Sequence, residues 1–450
     1  MTPTSGAHRP RARVLTDPSA LGEAAAGQDF LVLLRRGMLV EGALERIAEL
    51  FDRFPEADVL YADSYQETAG SPRVRLRPPM FSPLRLWSHD YLGPLLAFRA
   101  TALRTLREEA GEAREAAGLD AVLRLARAGS AVVAVPEVLT VETAAEAEPE
   151  RSRRAAAEAV RRDLSARGVE ASVEELPDGL RRLRYALSER PLVSVVIPTR
   201  GSSALVGGRE RRFVVEAVRE LMRPDGYPEI EIVVVADDAT PQSVVDELVV
   251  LAGARLRLVR FSGPFDFSAK INRGAAVARG EYLLLLNDDV SVITPDWITT
   301  MLSIARLEGV GGVGCHLLFP DGTLQHAGHV YKDGQAGHAG FGAPWNRDDA
   351  LRTFAVDREM SGATAACLLV PAEVFHEVGG FTGALPGNYN DVDFCLKVRA
   401  TGRSIIVTPH ARLVHFESQT RDARILRSEL RALRRRWASR LHADPYLRSA

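Results

Sequence analysis

An amide and two carboxylates, Asn287-Asp288-Asp289, follow directly on the apolar run Tyr282-Leu283-Leu284-Leu285-Leu286. The run reads as a strand buried on both faces, and the carboxyl end of such a strand is where open α/β sheets bind ligands. Paired carboxylates there suit Mg2+ or Mn2+, hard cations whose oxygen ligands often include the phosphates of a bound nucleotide. The plain alternative is a solvated acidic turn. A further acid, Asp391, opens a helix in Asn390-Asp391-Val392-Asp393-Phe394-Cys395-Leu396. A carboxylate at a helix N-terminus facing the crevice can take the proton of an attacking hydroxyl; its plain alternative is an N-cap. Asp393, two residues on, points elsewhere on the helix. His415 follows a predicted strand at 404–407 and Pro409, a place for either a metal ligand or a structural histidine. His326, His329 and His338 surround no closed zinc spacing, and their Gly-rich segment near Pro320-Asp321-Gly322 reads as a mobile flap.

Several elements must place these groups. Residues 192–197 form a buried strand that Pro198-Thr199-Arg200-Gly201 ends, and 209–222 form an amphipathic helix. A strand at 230–236 ends in Asp237-Asp238; a helix, a strand at 255–260 and a helix at 268–279 precede the organising strand. This βαβαβαβ series predicts a mostly parallel sheet with right-handed crossovers. Three strand ends, at Thr199, at Asp237-Asp238 and at Asn287 to Asp289, then face one crevice.

At 450 residues the chain is expected to form two or three domains, and its formal charge of -2 argues against a nucleic-acid surface. Three cysteines without metal-ligand spacing fit a reduced, cytoplasmic compartment. No apolar run is long enough to span a bilayer, and residues 1–20 lack a signal-peptide segment, so a soluble or peripheral protein is expected. Residues 1–28 read as a disordered arm, 29–141 as a small α/β domain, 142–190 as a charged helical linker and 191–421 as the main α/β domain. At 422–450 a basic amphipathic helix places Leu426, Leu430, Leu433, Trp437 and Leu441 on one face. That face either makes peripheral membrane contact through 423–442 or packs on the protein itself.

A resemblance now emerges from residues in order. Val193-Ser194-Val195-Val196-Ile197-Pro198-Thr199, Val234-Val235-Ala236-Asp237-Asp238-Ala239-Thr240, Phe265-Asp266-Phe267-Ser268-Ala269-Lys270-Ile271-Asn272, Leu286-Asn287-Asp288-Asp289, Gln325-His326-Ala327-Gly328 and Asn390-Asp391-Val392-Asp393 resemble the motif series of inverting family 2 glycosyltransferases, most of all the branch of O-antigen and rhamnan assembly. The match covers roughly 191–421. It implies a GT-A nucleotide-sugar fold, inversion at the anomeric carbon, a nucleoside-diphosphate sugar donor (UDP- or dTDP-linked) and a saccharide or lipid-linked acceptor. Thr199, Asp237 and Asp238 would line the nucleobase pocket, and Lys270 and Asn272 would contact the nucleoside. Asn287 and Asp288 would complete the donor site, Asp289 and His415 would hold Mn2+ or Mg2+, and Asp391 would be the general base. Two departures stand out: Asn287 occupies the first acidic place of the usual Asp-x-Asp, and Asn390 replaces the more usual Glu.

Sliding the halves of the chain together sets Leu34-Arg35-Arg36-Gly37-Met38 against Leu286 to Val290, and Asp120 to Gly129 against Asp393 to Gly402. Asp289 then corresponds to Gly37, Asp391 to Gly118 and His415 to Glu142. Residues 29–141 therefore read as a truncated, inactive copy that lacks the nucleotide-binding first half. Two other functions fit parts of the pattern: a nucleotidyltransferase on the same fold, and a catalytically silent scaffold for a partner transferase.

Overall fold

The apolar runs become strands, and their polar ends gather at one sheet edge. The computed structural model describes residues 11–21, 23–68, 70–106, 114–143, 149–206, 208–347, 349–416, 426–442 and 444–446. They fall into two compact units. One runs to Arg184 and takes in Asp349–Thr353; the other holds Tyr185–Asp348 and the described residues from Phe354 onward.

In the first unit, β1 (Ala12–Leu15), β2 (Phe30–Leu34), β3 (Met38–Leu39), β4 (Ala57–Glu67), β5 (Val74–Leu76), β6 (Leu95–Arg99) and β7 (Ala131–Thr143) form one sheet. Its order is β1-β2-β6-β4-β7-β3, with β5 beside β4. Phe30, Val32, Ile47, Leu60 and Leu95 are buried together where the helix Ala43–Arg53 covers one face. The arm expected at 1–28 is ordered from Arg11 on. Its β1 pairs in parallel with β2, and the Arg11 and Asp29 backbones are bonded at the entry to that pair. Residues 12–15 contain no proline, so every N–H can join the ladder; residues 1–10 lie outside the described residues. Within 142–190 the helix Glu150–Ala166 is as expected. The stretch after it folds instead into a hairpin of β8 (Ala171–Glu175) and β9 (Arg181–Tyr185), because Pro177-Asp178-Gly179 supplies a turn, with Gly179 at φ 83°.

The second unit contains β10 (Val193–Thr199), β11 (Ser203–Val206), β12 (Arg209–Arg212), β13 (Ile230–Asp237), β14 (Leu256–Phe261), β15 (Tyr282–Leu286), β16 (Val290–Val292), β17 (Val310–Leu318), β18 (Leu324–His326), β19 (His329–Lys332), β20 (Gln335–His338), β21 (Arg358–Met360), β22 (Cys367–Pro371) and β23 (Ser404–His415). The central order is β14-β13-β10-β15-β22-β17-β23-β16. The first four strands are parallel, as the alternation of elements requires, and beyond β15 antiparallel pairs join the sheet. Val196, Val233, Leu283, Leu285 and Leu368 are buried in its core. At ~1.5–3 kcal/mol for each large apolar side chain, such burial dominates the stabilisation. Two boundaries differ from expectation. The helix predicted from residue 209 starts at Phe213, since 209–212 pair with 203–206 as a hairpin. The strand predicted at 404–407 continues through Pro409 to His415, with a register shift that accommodates the proline.

The two sheets share a layout. The order β1-β2-β6-β4-β7-β3 repeats β10-β15-β22-β17-β23-β16, and successive pairs run parallel, antiparallel, antiparallel, parallel, antiparallel in each. Thus β1, which precedes residue 29, occupies the place of β10, and β13, β14 and β21 have no counterpart in the first sheet. Ladder register pairs Val290 with His415 and Met38 with Val141. On the other side of these strands three residues are skipped in each, in β7 between Val135 and Thr140 and in β23 between Thr408 and Arg412, which keeps Val141 level with Val414 and Glu142 level with His415. The positions matching Asp289 and Asp391 are sterically shut. A Cβ on Gly37 would stand 2.3 Å from the Val141 carbonyl oxygen, and one on Gly118 would stand 2.7 Å from Leu33 Cδ2.

The helix Arg427–Trp437 near the C-terminus turns its apolar face inward, burying Leu433, and the following Leu441, with Tyr331, Val392 and Leu396. That packing removes the apolar face needed for the expected membrane contact, although Leu426 stays 52% exposed. Residues 423–425 lie outside the described residues. No helix among the described residues is long and apolar enough to cross a membrane.

Candidate active site

The ends of β10, β15 and β23 and the start of the helix Asn390–Ala400 line one cavity of about 750 Å³ in the second unit. β10 delivers Thr199, the turn after β15 delivers Asn287, Asp288 and Asp289, the helix delivers Asp391, and β23 delivers His415. Five apolar residues of β15 anchor that turn rigidly, so the acids project from a fixed edge.

Thr199 Oγ1 donates to Asp288 Oδ2 at 2.6 Å and accepts from the Gly201 N–H at 2.9 Å. Burial, together with the charge of Asp289, pushes the Asp288 carboxyl up to about 7, against the opposing bond from Thr199. Lys270, 1% exposed, lies between β10 and β13, with Nζ 2.5 Å from Asp237 Oδ1 and 3.2 Å from the Thr199 carbonyl oxygen. A buried ammonium needs such a partner, so Asp237, which does not itself line the cavity, neutralises Lys270. Two residues expected at the donor site are placed differently. Asp238 is exposed and does not line the cavity, and its N–H bonds to the Phe261 carbonyl. Asn272 brackets the Phe381 backbone, donating to its carbonyl and accepting from its N–H at 2.8 Å each, and does not line the cavity.

Asp289 Oδ1 stands 3.1 Å from His415 Nε2, and Asn287 Nδ2 stands 3.0 Å from the same nitrogen. On the far side of the ring, Gln325 Oε1 is 2.6 Å from Nδ1. Asn287 Oδ1 is buried without a hydrogen-bond partner among the described residues. An orphaned oxygen beside a carboxylate and an imidazole nitrogen fits a divalent cation. Among the described residues no three His, Cys, Asp or Glu side chains gather as a metal cage.

Asp391 Oδ1 accepts from the Val392 N–H at 2.8 Å, Oδ2 accepts from the Ala365 N–H at 3.3 Å, and His329 Nε2 lies 3.7 Å from Oδ2. The carboxylate is thus oriented while its side chain keeps 18% exposure to the cavity. Asp393 points away, as the helical period requires, to Thr382, Trp437 and Arg436. In the histidine segment Tyr331, within β19, is 2% exposed and its hydroxyl donates to the Ser361 carbonyl, while β20 runs along the cavity. His326 accepts from the Thr364 N–H at Nε2, so its Nδ1–H donates to His338 Nδ1 at 2.8 Å, a hydrogen-bonded pair and no zinc site.

Two residues of the site carried no sequence assignment. Gln325 stood in a quoted motif without a role. Glu429, 1% exposed and lining the cavity, accepts the N–H groups of Gly387 and Asn388. The signal for Glu429 was its place three residues into a helix, hidden by the arginines around it.

The family described as glycosyltransferase like family 2 matches residues 190–439. The chain is 32% identical over 453 residues to the uncharacterized protein y4gI of Sinorhizobium fredii (strain NBRC 101917 / NGR234), covering 94% of this chain and 48% of that protein. It is 30% identical over 425 residues to the O-antigen biosynthesis protein RfbC of Myxococcus xanthus, covering 89% of this chain and 32% of that protein. The chain therefore spans about half the length of one curated relative and about a third of the other. Among solved structures, GalNAc-T7 with UDP, GalNAc and Mn2+ is 15% identical with a TM-score of 0.43, over 56% of this chain and 49% of that one. The mannosyltransferase PcManGT of Pyrobaculum calidifontis, in complex with GDP-Man and Mn2+, is 18% identical with a TM-score of 0.38, over 52% and 59%. The family match takes in more than half of the chain, including the whole central sheet and nearly all of the cavity's walls, and the chain belongs to glycosyltransferase family 2, with the GT-A fold.

Proposed function

We propose that the chain is an inverting, divalent-cation-dependent glycosyltransferase. It moves a sugar from a nucleoside-diphosphate donor, UDP- or dTDP-linked, to a hydroxyl of a saccharide or lipid-linked acceptor in cytoplasmic steps of cell-surface polysaccharide assembly. The observation that carries this reading is the opening of the Asp289–His415 pair and of Asp391, from separate elements, onto one cavity. The identity with the O-antigen biosynthesis protein supports the polysaccharide setting.

Thr199 and Lys270 bound the end that takes the nucleoside, with Asp237 paired to Lys270 behind it and Asp288 held by Thr199 as a hydrogen-bonding group toward the donor. Asp289, His415 Nε2 and Asn287 Oδ1 would hold Mn2+ or Mg2+, which when bound stabilises the negative charge on the departing diphosphate. Asp391 takes the proton of the acceptor hydroxyl as its oxygen attacks the anomeric carbon, on the face opposite the leaving group. The backbone N–H groups of Val392 and Ala365 hold the carboxylate in place during attack. Incubation with nucleotide sugars, Mn2+ and oligosaccharide or lipid-linked acceptors tests the reading. Expected are release of the nucleoside diphosphate and a product of inverted anomeric configuration by NMR; a product of retained configuration would refute the proposed chemistry.

A further inference from the structure

Gln325 is 3% exposed in the middle of β18 and meets His415 at two points. Its Oε1 lies 2.6 Å from His415 Nδ1, and its Nε2 donates to the His415 carbonyl oxygen at 3.4 Å. A carbonyl accepts only from the NH2 end of an amide, so the oxygen end faces the ring, and at 2.6 Å it would repel an Nδ1 lone pair, so Nδ1 carries a proton. On the other side of the ring the Asn287 NH2, a donor, lies 3.0 Å from Nε2. A proton on Nε2 would confront that donor. The two neighbours therefore demand the same tautomer from opposite sides: Nδ1–H, with the lone pair on Nε2. That lone pair then stands 3.1 Å from the electron-rich Asp289 Oδ1, an arrangement that a cation relieves.

We propose that Gln325 is a positioning residue that holds His415 in its Nδ1–H tautomer and turns the Nε2 lone pair, beside Asp289, toward a divalent cation. The cation half of this statement rests on the function proposed above; the tautomer half does not. Residues behind a histidine ligand fix its ring and tautomer, and their loss typically lowers metal affinity ~10–100-fold.

The test uses the full chain, metal-free and labelled with 15N and 13C at histidine. A long-range proton–nitrogen correlation reads each tautomer, and the His415 signal is assigned by its loss in His415→Asn. The expected spectrum shows Nδ1–H at His415 in the wild type and in Gln325→Glu, which keeps an acceptor oxygen, and a mixture of tautomers in Gln325→Leu. Titration of Mn2+ in the presence of UDP, followed by electron paramagnetic resonance, should show affinity weakened ~10–100-fold in Gln325→Leu and largely restored in Gln325→Glu. An Nε2–H or fully protonated His415 in the wild type overturns the proposal, and that spectrum decides even if a variant fails to fold. So does a Gln325→Leu protein with wild-type tautomer and affinity. A wild type that binds no Mn2+ with UDP yet shows Nδ1–H, lost in Gln325→Leu, supports the tautomer assignment and overturns the cation reading instead.

Discussion

Glu429 grips Asn388 twice, accepting its backbone N–H at 2.7 Å and its side-chain amide at 3.0 Å. The same carboxylate takes the Gly387 N–H at 2.8 Å, so the helix Arg427–Trp437 is tied to the loop that leads into Asp391. Burial opposes ionisation of Glu429, but the bonds from Asn388 and Gly387 hold it below the usual carboxylate range.

Glu429→Ala leaves two buried N–H groups without an acceptor and should cost about 1–3 kcal/mol of stability. Turnover should fall more than donor affinity, because the loop positions the base and not the nucleotide end. Chemical denaturation and steady-state kinetics check both; an unchanged turnover in the folded variant would show that the loop does not position Asp391.

Asp391→Asn preserves the shape of the side chain and removes its basicity. A positioned general base is worth ~10²–10⁴-fold, so turnover should fall by that factor with the donor dissociation constant nearly constant. Near-wild-type turnover would move the base elsewhere; Asp393, locked to Thr382, Trp437 and Arg436, offers no replacement.

Asp289→Ala should abolish Mn2+-dependent binding of the nucleoside diphosphate by calorimetry and leave the fold intact. Asn287→Asp adds an anionic oxygen where an amide oxygen now lacks a partner among the described residues, and should tighten Mn2+ binding about tenfold. Metal-independent affinity in the wild type would contradict both expectations.

Three histidines of the second unit are buried and neutral. Burial lowers His329 to about 4, despite the neighbouring Asp391, and lowers His316 and His326 further below the ordinary value. The unfolded chain takes up protons near pH 6.5 while the fold refuses them, so stability is full above that pH and falls as pH drops toward 4. Urea midpoints should decline between pH 7.5 and 5.5, by about 1 kcal/mol per histidine. A flat profile would mean that these rings are protonated in the fold.

Gly37→Ala tests the closure of the first unit's equivalent site. The new Cβ would meet the Val141 carbonyl oxygen at 2.3 Å, at a residue with φ of 75°, and should destabilise by about 1–3 kcal/mol or more. Nucleotide binding should be unaffected.

Much of this was legible in the sequence, because it rests on short-range pattern. The Leu-rich β15 ending in Asn287-Asp288-Asp289, Asp391 at a helix start, and the pairing of Gly37 with Asp289 across the two halves can all be read from adjacent residues. What escaped depends on distant partners. Nothing near Asn272 announces that Phe381 will occupy its amide, and nothing near Gln325 announces His415, ninety residues on. The hairpin β8–β9 was hidden because a charged, Ala-rich stretch suits a helix until a Pro-Asp-Gly turn is weighed.

The strand order common to the two sheets stands complete in the first unit without any equivalent of β13 and β14. Those two strands are therefore an addition at the edge of a framework that is sufficient by itself. Amide exchange in the second unit should separate accordingly, with β13 and β14 opening through sub-global fluctuations while β15, β22, β17 and β23 stay protected. A nucleotide at the end of the cavity lined by Thr199 and Lys270 would touch both tiers, so that donor occupancy would be felt first as slowed exchange at the sheet's added edge.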